Sequence, residues 1–165
     1  MTVGQLMSRQ IRTCRPDDSL NTAARIMWEE DCGCVPVVQE TGDERPRLVG
    51  IVTDRDVCMA AYTQGQPLSA IPVTSIMQRD LATCVATDPI GVALRVLRTR
   101  QLRRLPVVQN DGELVGLLSL ADIARESKRE ESEIDQPAVT MTSVGDTIAV
   151  ISEARGGSRE IATTG

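Results

Sequence analysis

The segment GIVTDRD, residues 50–56, recurs as GLLSLAD at residues 116–122. Each copy has a glycine, two branched apolar residues, a hydroxyl residue and, three positions after the hydroxyl, an aspartate. An apolar β-forming run that ends in this way predicts a buried strand running directly into a helix that the hydroxyl caps. The two segments therefore predict two equivalent strand-to-helix turns.

These turns allow two interpretations. Unpaired backbone N–H groups at a helix start favour an anion, and the aspartate adds a carboxylate one turn into the helix, an arrangement that suits a nucleotide. The same residues can also form a plain capping box, which satisfies the helix donors and needs no ligand. Duplication of the motif favours the nucleotide more than a single copy would.

The sequence around the motif is duplicated as well. Residues 13–39 align with residues 83–109 at an offset of 70, and nine of these 27 positions are identical. Composition alone would give roughly two identities. The same offset pairs Val3 with Val73 and Met7 with Met77; at the motifs it falls to 66, so the first copy carries four extra residues. The chain is thus predicted to contain an internal repeat.

Each copy predicts the element order β-α-β-β-α. A short extended piece, 12–14 or 82–85, leads into a helix that Asp18 or Asp88 would cap, with apolar residues along one face. A strand containing Pro-Val-Val then precedes the strand of the motif. A unit of about 55 residues cannot bury enough surface alone. We therefore expect two pseudo-symmetric repeats packed sheet to sheet, an α/β (α+β) fold.

The chain is predicted to divide into three parts. The first repeat spans 1–65, the second spans 66–127 with a linker at 66–72, and 128–165 contains a charged linker or helix end, a short helix and a disordered tail. The short helix would begin at Asp146 and, being marginal alone, would dock on the module or on a partner.

Composition excludes several functions. The 165 residues carry a net charge of −5, no His, and only 1% aromatic residues. Acidic charge and missing aromatic platforms argue against nucleic-acid binding. Lack of His removes the commonest general base and weakens a hydrolase interpretation. Because the sequence shows no catalytic domain, we expect a protein that is not an enzyme. With no leader and no apolar run of about 18 residues, we expect a cytoplasmic protein with no membrane segment.

The sequence resembles a tandem pair of CBS domains (cystathionine β-synthase-type repeats), also called a Bateman module, over residues 3–127. The Pro-Val-Val triplets and the two motifs GIVTDRD and GLLSLAD carry the resemblance, together with their spacing. The resemblance implies a regulatory module that binds AMP, ADP, ATP or S-adenosylmethionine in a cleft, requires no cofactor, forms a disc-shaped homodimer and signals to an effector protein that the sequence does not identify.

Carried over by position, the resemblance assigns the ligand contacts. Asp56 and Asp122 would hold the ribose hydroxyls, since a carboxylate can accept two hydrogen bonds from a vicinal diol. Thr53 and Ser119 would contact ribose or phosphate. The resemblance also places further residues beside the clefts: Val35, Leu105, Cys14 and Cys84.

Arginines distinguish the two copies. Arg55 lies inside the first motif and is predicted to contact phosphate, whereas the second motif has no charge there. Arg103 and Arg104 immediately precede the second Pro-Val-Val strand, and one of them is predicted to pair with phosphate. The other arginines of this stretch, Arg95, Arg98 and Arg100, are interpreted as a solvated helix face.

Two other functional classes remain open. Cys32-Gly33-Cys34 is a C-x-C that, with Cys14, could form a redox pair or bind zinc; lacking His and a second C-x-C, it more simply predicts spectator thiols and no metal site. An odd number of cysteines, five, fits reduced thiols. The alternatives to nucleotide sensing are a structural dimerisation module with empty sites and a thiol-based redox or metal sensor.

Overall fold

The computed structural model describes residues 1–40, 45–133 and 137–153. The helices are α1 (Val3–Leu6), α2 (Leu20–Glu29), α3 (Asp54–Gln64), α4 (Ile90–Thr99), α5 (Leu120–Glu133) and α6 (Met141–Ser152), and the strands are β1 (Cys34–Glu40), β2 (Pro46–Thr53), β3 (Arg104–Val108) and β4 (Leu114–Ser119). Two short 3-10 turns, Leu68–Ala70 and Val73–Ser75, join the repeats.

Each repeat has its own antiparallel strand pair, and equivalent residues are paired in the two repeats. β1 pairs with β2 so that Cys34 faces Thr53, and β3 pairs with β4 so that Arg104 faces Ser119. The extended pieces predicted at 12–14 and 82–85 are reduced to single parallel bridges, formed by one cysteine in each copy. Proline at the centre of β1 and β3 does not prevent pairing with β2 and β4. The predicted mixed helix and strand class is confirmed.

The leading segment of each repeat packs on the other repeat. Val3 and Met7 lie in the core of the second repeat, whereas Val73 and Met77 lie in the core of the first. Single bridges continue this exchange, because Ser8 pairs with β4 and Gln78 pairs with β2. The boundary at 65/66 therefore divides the sequence but does not divide the two cores.

The predicted caps of α2 and α4 are wrong. Asp18 and Asp88 each accept a hydrogen bond from the backbone N–H three residues earlier, at 2.7 and 2.9 Å, and so close the turn before the helix. Each helix begins two residues later, and its first N–H donates to a carbonyl of the exchanged segment: Leu20 to Ile71 and Ile90 to Met1. Tertiary contacts replace the local cap.

The two sheets meet along β2 and β4. An antiparallel bridge joins Arg47 to Glu113, and the Leu48 N–H donates to the Gly112 carbonyl at 3.1 Å. The residues that remain inside are mainly Val, Leu, Ile and Ala, as the near absence of aromatics requires. In the described ranges, every helix is too short or too polar to cross a membrane.

The short C-terminal helix forms, but it begins earlier than predicted. α6 starts at Met141, because Thr140 caps it through the Ser143 N–H, and Asp146 lies within the helix. α6 packs on α4 and α5. The charged segment predicted as a linker or helix end is the last part of α5 as far as Glu133. The predicted disordered tail lies outside the described residues.

Candidate functional site

The first strand-to-helix turn connects β2 to α3 at Thr53. The Thr53 hydroxyl accepts from the Asp56 N–H at 3.2 Å, and the Asp56 carboxylate accepts from the Thr53 N–H at 2.9 Å and from its hydroxyl at 2.7 Å. The second carboxylate oxygen lies 3.2 Å from the Gln78 amide nitrogen. This turn is a complete capping box, and Gln78 from the exchanged segment braces it.

The second turn repeats this geometry. The Asp122 carboxylate accepts from the Ser119 N–H at 2.9 Å and from its hydroxyl at 2.6 Å, and the Ser119 hydroxyl accepts from the Asp122 N–H at 3.1 Å. Arg125, one turn further along α5, pairs with the other carboxylate oxygen. Both predicted strand-to-helix turns are therefore present, and both carboxylates already have partners that a ribose diol would have to share or displace.

A cavity of about 620 Å³ lies where equivalent parts of the two repeats come together. Its first-repeat wall contains the turn before β1 and the first residue of α3, and its second-repeat wall contains the turn before β3 and the start of α5. In each repeat one backbone hydrogen bond joins the turn to the helix start. The Asp54 N–H donates to the Gly33 carbonyl, and the Leu120 N–H donates to the Arg103 carbonyl. This volume falls in the range usual for small-molecule sites.

The charges around this cavity are divided between the repeats. The first repeat contributes the carboxylates of Asp31 and Asp54, and the second contributes the guanidinium groups of Arg103 and Arg104. Neither guanidinium has a hydrogen-bonded or ion-paired partner among the described residues. Unpaired guanidinium groups at a cavity wall are suited to bidentate binding of a phosphate or carboxylate.

Gly33 allows these groups to approach one another. A Cβ at this position would lie 3.0 Å from the Asp54 carboxylate and 3.4 Å from the Arg104 guanidinium. A side chain at residue 33 would therefore narrow the cavity where acidic and basic walls meet. In the second repeat the equivalent residue is Arg103. The two repeats therefore have the same backbone turn here, but one carries no side chain and the other carries a cation.

The structure brings only some of the predicted site residues to this cavity. Ser119, Arg103 and Arg104 line it, whereas Thr53, Asp56 and Asp122 lie in the adjoining turns and do not. Arg55 is exposed on α3 and is also outside the lining. Contacts of these residues with a ligand stay predictions.

The four residues expected beside the clefts have buried side chains: Val35, Leu105, Cys14 and Cys84. Burial raises the pKa of the Cys14 thiol to about 12 and that of Cys84 to about 11. At neutral pH both are therefore un-ionised and weakly nucleophilic. The structure places these four side chains in the two hydrophobic cores.

The C-x-C segment lies at the cavity, but its thiols do not form a pair. The Cys32 thiol donates to the Cys34 carbonyl at 3.4 Å, and both cysteines are free. Burial raises the pKa of the Cys34 thiol to about 11, although the positive charge of Arg104 opposes this shift. Across the part of the chain that the structure describes, His, Cys, Asp and Glu nowhere form a group of three that could hold a metal ion.

Most of the cavity wall was not predicted from the sequence. Asp54 was within the quoted motif, but only the fold shows that it, and not Asp56, faces the cavity. Asp31 lies two residues after the end of α2 with a φ of 47°, and Gln101 lies two residues after the end of α4 with a φ of 50°, so equivalent left-handed residues lie between each helix and the strand that follows. Nothing in the sequence pattern indicated that residues of α6, Ile148, Ile151 and Ser152, also line the cavity.

Known proteins are similar in sequence to this chain over about three quarters of its length. CBS domain-containing protein YhcV of Bacillus subtilis is 30% identical over 131 residues, which are 79% of this chain and 89% of that protein. Homoserine O-acetyltransferase of Methanococcoides burtonii is 34% identical over 124 residues, 75% of this chain, but the chain spans only 24% of that enzyme. The match to the enzyme is thus a match to one part of a longer protein.

Solved CBS-domain structures share the fold. The CBS domain pair of protein MJ0100, in complex with 5-methylthioadenosine and S-adenosyl-L-methionine, is 25% identical, with a TM-score of 0.66 over 76% of this chain and 94% of that one. CBSX2 in complex with AMP is 26% identical, with a TM-score of 0.68 over 79% and 98%. The CBS domain family model matches residues 3–62 and 73–129, the two repeats whose exchanged segments and turns are described above. With its repeats, both turns and these relatives in agreement, the chain belongs to the CBS-domain family.

Proposed function

We propose that this chain is a non-catalytic regulatory module that binds an adenosine-containing ligand, of the AMP, ADP, ATP or S-adenosylmethionine class, between its two repeats. The observation that carries the proposal is the cavity on which both strand-to-helix turns converge, with Arg103 and Arg104 unpaired at its wall. Ligand binding would favour one arrangement of the repeats, and a partner protein would recognise that arrangement.

Ligands of the related structures support this class. MJ0100 holds 5-methylthioadenosine and S-adenosyl-L-methionine, and CBSX2 holds AMP. These molecules share adenosine and differ in the group attached to it. The cavity here offers both kinds of contact, since apolar side chains such as Leu120 and Ala124 lie near the cationic wall. A base and a negatively charged group could therefore be accommodated together.

A melting screen with AMP, ADP, ATP, S-adenosylmethionine and NAD tests this proposal. At least one ligand at millimolar concentration is expected to raise the melting temperature, because ligands that bind only the folded state stabilise it. Asp56→Ala is expected to reduce that shift, in addition to lowering the melting temperature of the ligand-free protein, because it removes the carboxylate half of the α3 capping box and leaves the Thr53 cap in place. Guanosine and cytidine monophosphates serve as controls. No shift with any adenosine ligand would contradict the proposal.

We also propose that the module assembles as a homodimer through α2 and α3. Trp28 and Tyr62, the chain's only Trp and Tyr, are 88% and 83% exposed on these helices. The offset of 70 makes Trp28 of α2 equivalent to Arg98 of α4. In the second repeat α6 packs on α4 and α5, and Arg98 contacts it. The equivalent face of α2 and α3 in the first repeat is the one that exposes Trp28. A second copy, presenting the same face, would bury both aromatic residues.

Sedimentation at tens of micromolar tests the dimer. Wild-type protein is expected to sediment as a dimer, and its single Trp should emit at shorter wavelength as concentration rises and Trp28 becomes buried. Trp28→Glu is expected to give a monomer, because the dimer would bury the carboxylates of both copies without a positively charged partner. Met141→Glu, on an exposed residue of α6, is the matched control and should leave the dimer intact. A wild-type monomer would contradict the proposal.

A further inference from the structure

We infer that α6 completes the ligand cavity and that Ile148 and Ile151 contact the aromatic face of the base of the bound ligand. This inference rests on the proposed function and assigns a binding role to a helix outside the residues that the CBS domain family model matches, 3–62 and 73–129. The ligand class is a nucleoside derivative with a flat aromatic base and an anionic or polar extension.

The helix is held firmly against the second repeat. Val144 and Thr147 are buried, and the Arg98 guanidinium donates to the Thr147 hydroxyl at 3.3 Å. The Gln101 amide donates to the Val150 carbonyl at 3.1 Å, near the far end of α6. Buried side chains and hydrogen bonds along its length fix which face of α6 is turned toward the cavity.

The cavity face of α6 is apolar. Ile148, Ile151 and Ser152 line the cavity on that side. Ile148 is 48% exposed although residue 147 beside it is fully buried, so a large apolar surface is presented to the cavity and to solvent. A ligand ring placed against Ile148 would remove that surface from water, which is favourable in proportion to the area covered.

Other lining residues of the same cavity supply polar contacts. Arg103 and Arg104 are unpaired there, and Asp54 lies at the start of α3. An adenosine ligand has a matching arrangement, with a flat aromatic base at one end and a charged or polar group at the other. The ring would lie on the α6 side between the isoleucines and Leu120, and the charged extension would lie near the arginines.

This arrangement makes the site asymmetric. Helices α4 and α5 carry α6, while the equivalent faces of α2 and α3 carry no such helix among the described residues. The apolar wall is therefore available on the second-repeat side of the cavity. Changes in α6 should alter the affinity for every adenosine ligand, because all of them share the ring.

Isothermal titration calorimetry with adenosine, AMP and S-adenosylmethionine tests the inference. Ile148→Ser is expected to weaken each ligand that the wild type binds by roughly tenfold, since the apolar surface under the ring is lost. Ile148→Met, which keeps an apolar side chain of similar volume, is expected to remain within about twofold of wild type. Met141→Ser is the matched control, because Met141 is 41% exposed on the same helix but does not line the cavity.

The outcomes separate this inference from the proposed function. Wild-type protein that binds none of these three ligands, and neither ADP nor ATP in the same calorimetry, would overturn the proposed function and the inference with it. Wild-type binding that Ile148→Ser leaves unchanged would overturn the inference alone. Equal weakening by Ile148→Ser and Met141→Ser would also overturn it, since that result would show an effect on the stability of α6 and not a contact with the ring. Urea unfolding of each variant is expected to give the wild-type m-value, which scales with the surface exposed on unfolding and would fall if α6 had already detached.

Discussion

Replacing Arg104 with alanine is expected to weaken AMP binding by roughly 10- to 150-fold while leaving adenosine binding nearly unchanged. Arg104 lines the cavity, and the described residues give its guanidinium no hydrogen-bonded or ion-paired partner. A charge-assisted hydrogen bond to phosphate contributes about 1.5–3 kcal/mol, which corresponds to that range of affinity. Adenosine lacks phosphate and would lose nothing. Calorimetry with both ligands on both proteins measures the difference.

Arg95→Ala is the matched control for this prediction. Arg95 is exposed on α4 and does not line the cavity. We expect its replacement to change AMP affinity much less than Arg104→Ala does. Raising the salt concentration should reduce the AMP advantage of wild type over Arg104→Ala, because exposed charges are screened. Equal losses for AMP and adenosine in Arg104→Ala would show that this residue supports the fold of the cavity and does not bind phosphate.

Local sequence was enough to predict the two turns. An apolar strand followed by Thr53 or Ser119 and then Asp specifies a strand end and a helix cap within seven residues, so no distant contact is needed. The duplication then predicted the order of elements in both repeats. Capping geometry, however, is also complete without a ligand, and for this reason the motif alone could not establish that Asp56 and Asp122 bind ribose.

Features that depend on distant segments could not be predicted. α2 and α4 begin where carbonyls of Ile71 and Met1 accept their first N–H groups, and no local pattern indicates that the leading segments are exchanged. The same limit applies to the cavity. Val35 and Leu105 were placed beside the cleft by resemblance; the structure buries both side chains in the cores, and their contact with a ligand stays a prediction. α6 lies far along the chain from the turns it helps to enclose.

Gly116→Val is expected to destabilise the protein by roughly 1–3 kcal/mol, because it overpacks the contact that holds the exchanged N-terminal segment on β4. A Cβ at residue 116 would lie 2.6 Å from the Met7 sulfur and 3.1 Å from the Ser8 carbonyl oxygen. The Met7 sulfur can move, but the Ser8 backbone is fixed by two hydrogen bonds to Leu117 of β4. The Ser8 N–H donates to the Leu117 carbonyl and the Leu117 N–H donates to the Ser8 carbonyl, each at 2.9 Å. Urea unfolding measures the loss.

The control and a double variant identify the cause of this loss. Gly91, at the start of α4, is exposed and has open space around its Cβ position, so Gly91→Ala should stabilise the protein by about 0.5–1 kcal/mol. Met7→Ala alone should be destabilising by about 2–5 kcal/mol, because Met7 is buried. In the double variant the valine can occupy the space that Met7 vacates, so the combined loss should be smaller than the sum of the two single losses. Strictly additive losses would show that Gly116 is not in contact with Met7, and that the N-terminal segment is held on the second repeat by other residues.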